Sequence, residues 1–144
     1  MHSHGAQALT TAILGGGVAA FAGAMVGVMI LAGTLRIGAP APDGAKPEMD
    51  ARLTVGAFLL ASHAIAAASL WQFPTIGACI AAGLGAGWIG MAAGGLVALL
   101  GQPDRVRARV GGVALRAAVG MGLIAPLWAY AQVMHVHAMN AMGA

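Results

Sequence analysis

Charge is scarce in this chain. Seven Lys or Arg and four Asp or Glu are spread over 144 residues, 8% in all, against about 25% in ordinary soluble domains. Such a sequence cannot cover a water-facing surface, and a soluble fold is excluded. Cysteine is nearly absent too: Cys79 stands alone, so no disulfide can form within the chain. It lies in an apolar run, where the ordinary reading is a small buried residue. Acidic residues are missing from every apolar run. Asp43, Glu48, Asp50 and Asp104 all fall in polar connections. A proton-driven transporter normally needs an acid within the membrane, so a small-solute carrier ranks last among the functions considered. Aromatic residues make up only 5%, and no stretch alternates with period two, which removes both a strand-rich fold and a membrane barrel.

What is abundant is apolar mass: 60% of residues are hydrophobic and mean hydropathy is +0.85. It comes in four blocks, at about 8–35, 53–71, 76–100 and 110–134. Each is close to or longer than the roughly 20 residues a helix needs to span hydrocarbon. In lipid every backbone polar group must be satisfied internally, and helices do this within each block. The expected fold is therefore all-α: a polytopic membrane protein, one domain over 1–144, built as a four-transmembrane-helix bundle. The first block has no Lys or Arg before it and exceeds a signal-peptide core in length, so it is expected to be a span. Prolines 40, 42 and 47 break the chain after the first block, Pro74 turns it back after the second, Pro103 follows the third, and Pro126 predicts a kink in the fourth.

The basic residues set the orientation. Arg36, Lys46, Arg52, Arg105, Arg107, Arg109 and Arg116 all lie in or beside the first and third connections; the two tails and the second connection have none. By the positive-inside rule those connections face the cytoplasm and both termini are periplasmic. The net charge of +3 and pI near 10.0 are thus read as topology rather than as affinity for nucleic acid. Trp71, Phe73, Trp128 and Tyr130 fall at the predicted outer ends of spans, suited to the headgroup layer, whereas Trp88 is mid-span and expected to pack. Arg outnumbers Lys six to one among abundant Ala and Gly, a bias of GC-rich bacterial genomes that points to a bacterial inner membrane.

Small residues recur at spacing four. Ala19, Gly23 and Gly27 form one row in the first block; Gly83 with Gly87, and Ala86 with Gly90 and Gly94, form rows in the third. Such rows let helix backbones approach closely. Small rows on more than one face predict a central third helix touching two neighbours, and a Gly90→Leu change more disruptive than Leu99→Ala.

Two sets of histidines are candidates for chemistry. His63 is the one titratable side chain deep within a span. It reads either as a tetrapyrrole or metal ligand or proton-relay member, or as a neutral packing residue bonded to a neighbouring helix, with Thr10 or Thr11 as suggested partners. The tails carry His2, His4, His135 and His137, with Met1, Met134, Met139 and Met142 nearby. Imidazole and thioether suit copper, but His135 and His137 are two apart and diverge on a helix. The expectation is no resident cofactor, with copper or a tetrapyrrole as the alternatives. Gly15, Gly16 and Gly17 lack the Lys-Ser/Thr of a phosphate loop, and Ser62 beside His63 diverges from it by about 100°, so no catalytic constellation is found.

The segment EMDARLTVGAFLLASHAIAAASLW and the later GLGAGWIGMAAGGLVALLGQP resemble a family of small bacterial four-helix membrane proteins of unknown function, loosely DoxX-like. The resemblance is carried by Glu48, Arg52 and Gly56 at the start of the second span and by the Gly-rich third span ending in a Pro-containing loop. It implies a fold and no activity. Little soluble mass, no catalytic site and abundant small-residue surface favour a non-enzymatic accessory or scaffold subunit. Its partners would be the lipid bilayer and other membrane helices, of a respiratory or photosynthetic complex or of a second copy. A metal- or pigment-binding protein is the competing class.

Overall fold

A computed structural model describes residues 2–33, 47–100 and 106–141, with side chains over 6–33, 49–100 and 110–141. Four helices account for almost all of it: α1 (His2–Leu31), α2 (Pro47–Gln72), α3 (Pro74–Leu100) and α4 (Val106–Ala141). There is no strand among the described residues. All four helices are long and apolar enough to cross a membrane, and the chain reads as a multi-pass membrane protein.

Local chemistry sets the ends. Pro47 and Pro74 open α2 and α3, where a missing N–H costs nothing and φ is already helical. Phe73 alone separates α2 from α3. Its N–H donates to the Ser69 carbonyl at 2.8 Å and its own carbonyl accepts from Gly77 N–H at 2.8 Å, so the reversal leaves few groups unpaired. At the far end of α1, Gly33 adopts φ +75° and its N–H bonds the Ile30 carbonyl at 3.0 Å. A left-handed residue there ends the helix. α1 therefore stops at Leu31 rather than running to residue 35, and α4 runs on past residue 134 to Ala141.

The helices form a ring in chain order. α1 packs on α2 and α4, α3 packs on α2 and α4, α1 and α3 barely touch across the diagonal, and α2 does not meet α4. The third helix does touch two neighbours, as expected, but so does every other helix. It is not central.

Packing is inverted relative to a water-soluble bundle. The main buried cluster is small, with Ala19, Ala20, Ala66, Ala78 and Ala81 around Leu70, Trp88, Val119 and Leu123. A second cluster of Ala92, Leu99 and Val113 lies toward the other end. Large apolar side chains point outward, among them Phe21 at 66%, Phe58 at 63% and Val97 at 69% exposure. In water so much exposed apolar surface would drive aggregation; in lipid it is solvated, and small residues inside let backbones close up. Where they close is specific. A Cβ at Gly27 would come within 2.7 Å of the Leu60 nitrogen and 2.8 Å of the Gly56 oxygen. Across α3 and α4, Gly85 and Gly120 each face the other's carbonyl oxygen, at 2.7 and 2.9 Å from the place a Cβ would take.

The rows expected on α3 are placed differently. Among the described residues, Gly83, Gly87, Gly90 and Gly94 would each meet nothing within 4 Å if a Cβ were added. The inward stripe of α3 is Gly77, Ala78, Ala81, Gly85, Trp88, Ala92 and Leu99. The α1 row does lie inside: Ala19, Gly23 and Gly27 are all buried.

The helices also differ in reach. Gly23 sits against His63, and Gly16 against Leu70 and the Pro126 ring. That antiparallel register places Phe73 level with residue 13. Positions 2–12 of α1, about 16 Å of helix at 1.5 Å per residue, thus extend past the α2–α3 turn. The carboxyl end of α4 accompanies them. Trp71, Phe73 and Trp128, exposed by 81%, 59% and 68%, gather near the level of that turn.

Candidate functional site

His63 is the only buried polar or charged side chain among the described residues, 1% exposed. α2 holds it nine residues before its end at Gln72. Nδ1 lies 2.8 Å from the Leu59 carbonyl one turn back, and a carbonyl accepts only, so Nδ1 carries the proton. Nε2 accepts a hydrogen bond from the Trp88 indole N–H at 2.8 Å. The ring is therefore neutral with both nitrogens engaged. The rings of His63 and Trp88 meet edge to face, centroids 5.8 Å apart at 80°, a favoured aromatic geometry. Ser62 Oγ sits 3.3 Å from Nδ1 and donates to the Leu59 carbonyl at 3.3 Å. On the third side α1 presents Gly23, where any Cβ would collide with the imidazole atoms Cδ2 and Nε2. One side chain thus gathers three helices.

The partner differs from those suggested by sequence. Thr10 and Thr11 each bond the carbonyl four residues back, Ala6 and Gln7, at 2.9 Å. Both lie near the end of α1 beyond the α2–α3 turn, far from His63. Trp88 was legible only as a packing residue. Counted from the turn at Phe73, His63 is 10 residues away and Trp88 is 15, so their Cα atoms are not level. Helical side chains lean toward their own amino termini, however. His63 leans away from the turn and Trp88 toward it, and the tips converge.

This geometry leaves His63 no lone pair for a ligand. A tetrapyrrole or metal on Nε2 would have to break the Trp88 bond and find room where Gly23 already closes the ring in. The residues present do not fit such a group.

The tail residues have a different character. His135 and His137 are exposed on the last turns of α4, as are Met134 and Met139. His137 Nδ1 donates to the Val133 carbonyl at 2.7 Å. Among the described residues no three His, Cys, Asp or Glu side chains come together. His2 and His4 lie on α1, but their side chains are outside the described residues.

Of the basic residues, Arg52 and Arg116 are described with side chains. Arg52 lies against Gly33 at the end of α1, with a buried Nε lacking a hydrogen-bond partner. Arg116 is exposed beside Gly95. Arg36, Lys46 and Arg105 fall outside the described residues, as do the side chains of Arg107 and Arg109. An open groove of about 310 Å3 between α1 and α2 is lined by residues such as Leu14, Phe21 and Trp71; it offers no charged group to orient a ligand.

No family model, curated protein or solved structure matches the chain. The DoxX-like resemblance therefore rests on the residues quoted for it alone.

Proposed function

We propose that this chain is a non-enzymatic scaffold or accessory subunit of a bacterial inner membrane, docking through the open face of α3 onto a helix of a larger assembly, such as a respiratory or photosynthetic complex. The supporting observation is the stripe Gly83, Gly87, Gly90 and Gly94. Steps of four, three and four residues keep all four on one face within about 60° at 100° per residue, and among the described residues a Cβ added at any of them would meet no other part of the bundle within 4 Å. Gly in a helix costs about 1 kcal/mol relative to Ala. Four on one unpacked face burden the isolated bundle and benefit only a close neighbour.

The basic residues flanking the first and third connections put those connections in the cytoplasm and both termini in the periplasm. The outward α1–α4 extension then stands in the periplasmic headgroup region. A membrane-impermeant label on either terminus of intact cells is expected to react; a cytosolic terminus would overturn this topology.

Native mass spectrometry from mild detergent tests the docking. The chain is expected to co-purify with another membrane protein or a second copy, and Gly87→Leu with Gly90→Leu to release it while the helical melting curve of the isolated chain is unchanged. A strictly monomeric, partner-free protein would refute the reading.

A further inference from the structure

The inward stripes of α2 and α4 both carry an arginine at the end opposite the α2–α3 turn. Leu70, Ala66, His63, Leu59 and Gly56 step along α2 at intervals of four, three, four and three, and all are buried or partly buried. The next step of four reaches Arg52. On α4, Val113 and Val119 stand three residues to either side of Arg116 and Leu123 stands seven beyond it, all buried. Rows at such spacing share one side of a helix, so Arg116 lies on the inward face. α2 and α4 are diagonal in the ring and do not meet. The two arginines therefore face the bundle interior from opposite sides.

They do so at one level. Arg52 Nη1 lies 2.7 Å from the place a Cβ would take on Gly33, and Arg116 Nη1 lies 3.5 Å from the corresponding place on Gly95. Counted from the turn at Phe73, Arg52 is 21 residues away and Gly95 is 22. Both α2 and α4 begin at this end, so both side chains lean toward the opening rather than into the core. With neighbouring axes about 8–10 Å apart, the diagonal is about 11–14 Å, a gap that two long side chains narrow from both sides.

No group of the bundle answers these cations. Among the described residues neither arginine side chain forms a hydrogen bond or ion pair, and Arg52 Nε is buried without a partner. Asp50, the one carboxylate with a described side chain, is exposed and about 160° from Arg52 around α2. Like charges facing one another repel, and a buried donor left without an acceptor is costly. An oxyanion seated between them relieves both. Planar guanidinium forks match the paired oxygens of phosphate, and two cations match its double charge.

We propose that the open end of the bundle binds one phosphate-class oxyanion between Arg52 and Arg116, supplied as inorganic phosphate or as the phosphate of a lipid headgroup. The site lies on the inner side of the ring, away from α3's open stripe, so it stands or falls independently of docking there.

The test uses the full-length, untagged chain in mild detergent. Isothermal titration with sodium phosphate at constant ionic strength reads one source. Native mass spectrometry from micelles carrying phosphatidic acid or phosphatidylcholine reads the other. One bound phosphate or one retained phosphatidic acid per chain is expected; phosphate alone assigns the site to a solute, phosphatidic acid alone to a headgroup. In either arm Arg52→Gln and Arg116→Gln should each weaken binding at least about tenfold. Arg107→Gln, about 180° from Arg116 around α4, should leave it unchanged. Arg116 is exposed, so its variant keeps the fold, and circular dichroism checks all three. Glu48 stands one turn before Arg52 in sequence, and Glu48→Gln should also leave binding unchanged; a tenfold gain would show that this carboxylate, not an external anion, neutralises the pair. No binding in either arm, equal retention of phosphatidylcholine, or Arg107→Gln costing as much as Arg116→Gln would overturn the proposal.

Discussion

Gly23→Ala is the most informative single change in the bundle. The new methyl would overlap the His63 ring at Cδ2 and Nε2. Carbon contacts are comfortable at about 3.5–4 Å, so the ring would have to retreat by more than about 1 Å. It cannot do so freely. Its Nε2 is held at 2.8 Å by the Trp88 N–H and its Nδ1 at 2.8 Å by the Leu59 carbonyl, and a shift of that size stretches the first bond past hydrogen-bonding range. Overpacking costs about 1–3 kcal/mol, and hydrogen bonds between membrane helices are worth about 0.6 kcal/mol on average and up to about 1.7. Gly23→Ala is therefore expected to destabilise the bundle by about 2–5 kcal/mol.

His63→Ala provides the control. Alone it is costly, because it opens a cavity and strands the Trp88 N–H. In its background the methyl at position 23 enters vacated space, and most of the Gly23→Ala penalty should vanish. Reversible unfolding in mixed detergent micelles, applied to the four proteins of the cycle, reads the coupling directly. A coupling of about 2 kcal/mol or more is expected. If the two changes add to within about 0.5 kcal/mol, as non-contacting sites do, the three-helix junction described here is not what holds α1 to α2.

Trp88→Phe, which keeps a ring but removes the N–H, should cost about 0.6–1.7 kcal/mol in the same unfolding assay, and this cost should shrink in a His63→Leu background. Leu99→Ala should destabilise the isolated chain by about 2–3 kcal/mol through a cavity in the smaller cluster, with Gly90→Leu within about 0.5 kcal/mol of the parent; this reverses the order expected from sequence, and detergent melting ranks the two. Gly33→Ala, which forces a side chain into left-handed backbone, should cost about 1–2 kcal/mol and speed amide exchange over the last turn of α1.

Hydropathy revealed the four spans because lipid demands long uninterrupted apolar helices, and composition records that demand directly. The ends were harder. Pro74 signals where α3 begins, but Pro47, expected only to break the chain, opens α2 six residues before the expected span start at 53, and Gly33 closes α1 through its φ rather than through any change in hydropathy. The α4 tail is helical although its sequence, HVHAMNA, carries no span signal. Which glycines pack was the least legible feature. On α1 the spacing-four row picked out buried positions, since larger residues occupy the other faces. α3 is so rich in Gly and Ala that rows at several angles are equivalent in sequence, and only the partners on α2 and α4 select Gly77, Ala81 and Gly85 over Gly83, Gly87 and Gly90. His63 could be found because a titratable group in an apolar run is conspicuous. Its bond to Trp88 depends on the lean of two side chains from opposed helices, which residue counting ignores.

The same reasoning separates two kinds of glycine that composition treats alike. In a bilayer, removing a Leu from the helix surface exposes nothing to water, so hydrophobic burial contributes little to holding helices together and close backbone approach contributes much. The effect of adding a side chain then depends on what stands opposite. At Gly27, Gly85 and Gly120 it is another backbone, which cannot yield, and substitution there should part the helices. At Gly83, Gly87, Gly90 and Gly94 it is open space among the described residues, and the isolated bundle should accept a side chain without loss. Only a neighbour seated on α3 would make those four positions intolerant. A scan of both groups, measured once in the isolated chain and once in native membranes, therefore distinguishes residues that make the fold from residues that need a partner: intolerance of the second group confined to the membrane sample is the signature of docking, and tolerance in both would remove the reason for proposing it.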